Sequence, residues 1–177
     1  MTLTRPAVAT DAAAVMTIYN HGIAERSATF EVEPRRLEDM QQRIADATRY
    51  PLLVAVDPSG SVIGWAGLSG YRPRDCYAGI GEFSVYLAPD ARGRGVGRQL
   101  LNALVDTARS RGYWKLLSRI FLFNTASRAL CRACGFREVG VYEKHGQLEG
   151  RWLDVVIVER LIDENLAPSA IAASASR

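Results

Sequence analysis

Apolar positions along the chain change period several times, and each change marks an element. Val15, Ile18, Tyr19, Gly22 and Ile23 recur at the three- and four-residue spacing of one helical face, with Thr10 placed to cap it. A second helical stretch runs from about Leu37 to Ala47, rich in Glu, Gln, Arg and Met. Pro51 to Val56 is a short apolar run. The turn Asp57-Pro-Ser-Gly60 and a second run from Val62 to Leu68 complete a β-hairpin. Pro73 between two arginines makes Tyr71 to Tyr77 a loop. Glu82 to Leu87 is β-branched and aromatic, hence a strand, ended by Pro89. From Val96, the positions Leu100, Leu101, Leu104, Val105 and Ala108 predict a strongly amphipathic helix closed by Gly112. Leu116 to Phe121 is a strand, and Asn124 to Ala133 is a short helix stopped by Gly135. Val139 to Tyr142 and Trp152 to Arg160 are late strands, with Gly146 and Gly150 in their connection. The order is ααββ, βαβα, ββ. That predicts one α/β domain, a central mixed sheet flanked by helices.

Composition narrows the function classes. A chain of 177 residues suits a single core, here residues 1–162, with 163–177 an Ala/Ser-rich and flexible tail. With 48% hydrophobic and 23% charged residues it is neither disordered nor fibrous. The formal charge of +3 is too small to argue for nucleic-acid binding. No stretch is long and apolar enough to span a bilayer, and Met1 to Met16 has no apolar signal region. Cys76, Cys131 and Cys134 therefore read as reduced thiols of a cytoplasmic protein. Cys131 and Cys134 have no second pair to complete a zinc site, so no metal is expected. The histidines, His21 and His145, lack an acid–nucleophile setting and read as structural or surface residues.

The segment Val85 to Arg98 carries the clearest chemistry. A strand runs into a turn with three glycines and three arginines, then into a helix. Gly93, Gly95 and Gly97 let the backbone approach a ligand, and the amides at the start of the helix, Val96 onward, point outward. Such amides, at the positive end of the helix dipole, bind anions. Arg92, Arg94 and Arg98 add charge suited to phosphate. No Lys-Ser/Thr follows the glycines, so this is not a P-loop, and the spacing is not the dinucleotide fingerprint. A solvated Gly/Arg turn is the bland alternative. The agreement of strand, spacing and helix disfavours it.

Arg92-Gly-Arg-Gly-Val-Gly97 after Phe83-Ser-Val-Tyr-Leu87 resembles the acetyl-CoA loop of the GNAT acyltransferases, and Asn124-Thr-Ala-Ser127 with Gly135-Phe136 resembles their next motif. The resemblance covers about Leu3 to Ile162. It implies that the amides of Gly93 to Arg98 hold the CoA pyrophosphate. It also implies that the backbone of Val85, Tyr86 and Leu87 pairs with the pantetheine arm, and that Asn124 and Ser127 contact the cofactor.

Further motifs are Tyr19-Asn20, Ser27-Ala-Thr-Phe30-Glu31, Tyr50-Pro51, Tyr71-Arg-Pro-Arg74 with Tyr77, Glu82-Phe-Ser-Val-Tyr86 and Gly150-Arg-Trp-Leu-Asp154. Together they resemble the phosphinothricin N-acetyltransferases, closest to the arsinothricin branch. The resemblance implies acetylation of the α-amine of a small acidic amino-acid analogue, hence antibiotic resistance, by a homodimer using Trp152 near its interface. Arg72 and Arg74, two residues apart, suit bidentate binding of the substrate's acidic groups or, alternatively, surface ion pairs. Phe30 is either a pocket wall or a core residue. An attacking amine must lose a proton, and Glu82, at the head of the strand beside the cofactor, is the expected base. Many family members carry Tyr or His where this chain has Cys131, which leaves the acid that protonates the departing thiolate unassigned. Other readings are acetylation of a polyamine or a protein N-terminus, and a non-catalytic acyl-CoA-binding protein.

Overall fold

A computed structural model describes residues 2–166. In chain order it has β1 (Leu3–Pro6), α1 (Ala12–Ala24), α2 (Leu37–Ala45), β2 (Leu52–Val56), β3 (Val62–Gly70) and β4 (Ile80–Leu87). Then follow α3 (Val96–Ser110), β5 (Lys115–Phe121), α4 (Thr125–Ala133), β6 (Arg137–Leu148) and β7 (Arg151–Leu161). The strands form one mixed sheet in the order β1-β2-β3-β4-β5-β7-β6, in which only β4 and β5 run parallel. The sequence-expected tail lies mostly outside the described residues; of it, Asp163–Asn165 forms one short 3-10 turn.

Strand residues alternate between two cores, as a period of two requires. Leu52, Val54, Val56 and Trp65 pack with α1 and α2 through Val15, Ile18, Ile23, Met40 and Ile44. Leu53, Ala55, Ala66, Leu68, Phe83, Leu116, Ile120, Val156 and Val158 pack on the opposite face with α3. Leu100, Leu101 and Leu104 of α3 are fully buried, as the periodicity predicts.

Two elements differ from the sequence reading. The edge strand β1 has no apolar run of its own; it forms because its four residues complete the ladder of β2, Leu3 opposite Val56 through Pro6 opposite Leu53. Strand β6 does not stop at Tyr142 but continues to Leu148. Its register against β7 jumps from Tyr142–Val155 to Gly146–Leu153. Glu143, Lys144 and His145 thus form a bulge opposite Asp154. The bulge is closed by the Lys144 backbone N–H donating to Asp154 Oδ1 at 2.7 Å. Gly146 lies inside the strand rather than in a connection. A Cβ there would stand 2.9 Å from the Phe30 ring, so glycine permits that close approach.

The feature that creates the site is a parting of two strands. β4 and β5 pair only from Ile80–Lys115 to Glu82–Leu117. Beyond those residues β4 stays with β3 to Leu87 and β5 stays with β7 to Phe121. The strands diverge, and the edge of β4 from Phe83 to Leu87 faces an opening instead of a neighbour.

Candidate active site

The opening is a cleft of about 520 Å³. Its walls include Glu82 to Tyr86 of β4, Ser118 to Phe121 of β5, and Asn124, Ser127, Leu130 and Cys131 of the α4 segment. Tyr19, Ala28 to Glu31, His145 and Val155 complete the lining.

At one end β4 runs through a short 3-10 turn, Pro89–Ala91, into the glycine loop. Gly93 (φ 70°) and Gly95 (φ 83°) take the left-handed conformation, and a Cβ at either would meet no atom within 4 Å. Gly95 leads into α3 without any side-chain cap. The first N–H groups of this 15-residue helix therefore have no capping side chain, the condition under which a helix start can meet an anion. Gly97 has a different job: a Cβ there would meet Leu130 at 3.2 Å, so it allows α3 and α4 to pack closely.

The three arginines of this loop separate in role. Arg92 donates to both oxygens of Glu25 at 2.7 and 2.8 Å, so its charge is already answered. Arg94 donates to the Asp90 carbonyl at 3.1 Å. Arg98 is exposed and, among the described residues, has no side-chain partner. Asn124 is likewise committed. Its Oδ1 accepts from the Ser127 N–H and its Nδ2 donates to the Ser27 carbonyl, both at 3.0 Å. It caps α4 and ties that helix to the segment after α1. Its carboxamide is thus a structural tie at the cleft wall.

At the apex, where β4 and β5 part, Glu82 Oε1 accepts from Arg119 Nε at 3.0 Å and Nη2 at 2.5 Å. Arg119 lies two residues beyond Leu117, the last register partner of Glu82, so both side chains share one sheet face. The Glu82 side chain keeps 20% exposure and Arg119 48%, so the pair is open to the cleft. Sequence reasoning missed Arg119. On a strand it looks like any alternating polar position, and its role depends on the parting of two strands.

The side wall is aromatic. Tyr86 stacks on Trp65 at 5.0 Å and meets Tyr19 edge-on at 4.7 Å. Burial pushes the Tyr86 phenol well above its ordinary range. Phe30 packs edge-on against Phe121 at 4.7 Å and also lines the cleft, so it is both wall and core. Arg72 and Arg74 do not join this assembly. Both are exposed on the segment before the 3-10 turn Asp75–Tyr77, with Arg72 over the Tyr71 ring at 5.2 Å. Neither lines the cleft. His145, read from sequence as a structural or surface residue, does line it, because the bulge in β6 turns it that way. Cys131 lines it too but is 2% exposed, and burial pushes its thiol up to about 12. Among the described residues no group of three or more His, Cys, Asp or Glu could hold a metal, and no helix is long and apolar enough to cross a membrane.

A parted parallel strand pair, an uncapped helix after a glycine loop and a carboxylate paired with an arginine at the apex suit an enzyme that handles a phosphate-bearing ligand. Comparison with known proteins names the class. Residues 16–136 match the model of the Acetyltransferase (GNAT) family. The chain belongs to that family and is an acetyltransferase. It is 36% identical over 161 residues to an L-methionine sulfoximine/L-methionine sulfone acetyltransferase of Pseudomonas aeruginosa, covering 90% of this chain and 94% of that protein. Among solved structures it matches a phosphinothricin acetyltransferase of Sinorhizobium meliloti in complex with AcCoA, at a TM-score of 0.85 and 36% identity, over 90% of this chain and 88% of that one. It also matches a ribosomal-protein-alanine N-acetyltransferase of Brucella melitensis, at a TM-score of 0.86 and 36% identity, over 90% and 99%.

Proposed function

We propose that this protein transfers the acetyl group of acetyl-CoA to the α-amine of a small acidic amino-acid analogue of the phosphinothricin, arsinothricin or methionine sulfoximine/sulfone type. The carrying observation is the arrangement along β4. The Glu82–Arg119 pair stands on the cleft wall where β4 and β5 part, the unpartnered edge of β4 follows, and the chain then passes through a short turn to the uncapped start of α3.

The uncapped α3 amides and Arg98 suit the CoA pyrophosphate. The backbone edge of Val85 to Leu87 suits the amides of the pantetheine arm, so the thioester lies along β4. Acetyl-CoA supplies the activated acyl group; the protein supplies alignment, a proton acceptor and dipoles. Glu82, directly or through water, takes the proton of the attacking amine. β4 amides near Val85 polarise the thioester carbonyl. Water protonates the departing thiolate, since the Cys131 thiol is buried and a poor donor.

N-acetylation removes the cationic amine of such an analogue and so serves antibiotic resistance in the cytoplasm. We place a homodimer contact on the outer edge of the sheet at β6 and the start of β7, where Val139, Val141, Tyr142 and Trp152 are exposed.

Similarity to a ribosomal-protein-alanine acetyltransferase favours a protein N-terminus as the second reading. Both readings are tested by following free thiol released from acetyl-CoA with phosphinothricin, arsinothricin, methionine sulfone, spermidine or an alanine-ended peptide. Release with the acidic amino acids supports the proposal. Release with the peptide alone supports the second reading. Tight acetyl-CoA binding with no release supports a non-catalytic acyl-CoA-binding protein.

A further inference from the structure

We infer that the Arg119–Glu82 pair is the element that recognises the acceptor as an α-amino acid, with Arg119 binding its carboxylate. This rests on the reading of the cleft as the acetyl-transfer site and adds the residue that sets acceptor specificity.

Three observations carry it. First, Arg119 is the one arginine or lysine among the described residues lining the cleft. Arg72 and Arg74 lie outside it, and Arg92 is bound to Glu25. Second, the guanidinium is half used. Its Nε and Nη2 both donate to one oxygen, Glu82 Oε1, and among the described residues Nη1 has no partner. The Nη1–Nη2 edge, which takes carboxylates bidentately, is free. Third, the opposite charge of the pair is equally incomplete, because no described donor reaches Glu82 Oε2. The other carboxylate on the wall, Glu31, is already paired with Arg35.

An α-amino acid carries its ammonium and its carboxylate on a single carbon. The cleft offers a cation and an anion in direct contact, the mirror of that arrangement. A carboxylate on the free edge of Arg119 brings the adjacent amine beside Glu82, the group that takes its proton. Simple amines, lacking the carboxylate, gain only half of this contact. A polyamine has no carboxylate for the free guanidinium edge and brings further positive charge beside it. Holding the guanidinium on Glu82 before substrate arrives also fixes its long side chain, which lowers the ordering cost of binding.

The test compares Arg119→Gln and Arg119→Lys with the wild type, using methionine sulfone and its primary amide as acceptors. Thiol release gives KM and kcat, and calorimetry gives acetyl-CoA affinity. Arg119→Gln is expected to raise KM for methionine sulfone roughly 10- to 100-fold, the size of a charged hydrogen-bond pair. KM for the amide should change less than about threefold, with acetyl-CoA affinity retained. Arg119→Lys should restore part of the loss. Equal effects on both acceptors would show that Arg119 serves Glu82 alone, and no effect on either would show that it serves neither; each overturns the inference while leaving the wild-type activity, and so the proposed function, standing. A wild type that turns over no amino acid would instead sink the underlying reading, and this inference with it.

Discussion

Arg92 and Glu25 form a two-point ion pair, 2.7 and 2.8 Å, that joins the glycine loop to the residue ending α1. The arginine that the motif offers to a phosphate is already engaged within the protein and braces the loop. The hydrogen bonds from Arg92 are the main cause holding the Glu25 carboxyl below its usual range. Both side chains remain partly exposed, so the pair is worth at most about 1 kcal/mol. Glu25→Gln and Arg92→Gln are therefore expected to weaken acetyl-CoA binding equally, by less than about tenfold, and the double variant no further. Calorimetric titration checks this. A loss for Arg92→Gln well beyond that for Glu25→Gln would show direct phosphate contact.

Gly95 and Gly112 have nearly the same backbone, φ 83° and 81°, and a Cβ at either meets nothing within 4 Å. Alanine at each should cost about 1–2 kcal/mol of stability through the left-handed conformation alone. Only Gly95 adjoins the amides that would hold phosphate. Gly95→Ala is expected to lower acetyl-CoA affinity more than tenfold, while Gly112→Ala leaves it unchanged at a similar fall in Tm.

Much of the candidate site is legible in the sequence, and the parts that are not share a cause. The loop from Arg92 to Arg98, the α3 core residues and Glu82 carry local signals, because turns, periodicity and strand ends are written in neighbouring residues. Arg119, His145 and the engagement of Arg92 by Glu25 depend on contacts between segments far apart in sequence. Strand β1 depends on a partner strand for the same reason. His145 needed a bulge, which no residue pattern in Val139 to Leu148 announces.

Asp11 should set part of the acid limit of stability. It is 6% exposed, accepts from Arg5 at 2.6 and 3.0 Å, and accepts the Val8 N–H at 2.8 Å. The Arg5 hydrogen bonds, against the opposing effect of burial, hold its carboxyl below the ordinary range. A depressed folded pKa means the stabilisation is fully present above the unfolded value, near pH 4, and is lost as pH falls through the folded value. Asp11→Asn should cost about 1–3 kcal/mol at pH 7. Denaturant melts should show this gap from wild type closing below about pH 4.

The cysteines differ sharply in access. Cys76 is exposed, while Cys131 and Cys134 are buried with their thiols pushed upward by burial. A disulfide reagent at neutral pH should titrate Cys76 quickly and the other two only on unfolding. Cys131→Ala should change kcat less than about threefold, because a thiol held near 12 contributes little as an acid.

The most direct measurement of the account is the pH–rate profile of Glu82→Gln, with acetyl-CoA affinity measured on the same protein. If Glu82 takes the amine proton at the apex of the parted strands, kcat should fall roughly 100-fold or more around neutral pH. It should recover as rising pH deprotonates the amine, with affinity for acetyl-CoA within about twofold of wild type. A variant that turns over like the wild type at every pH would contradict the assignment.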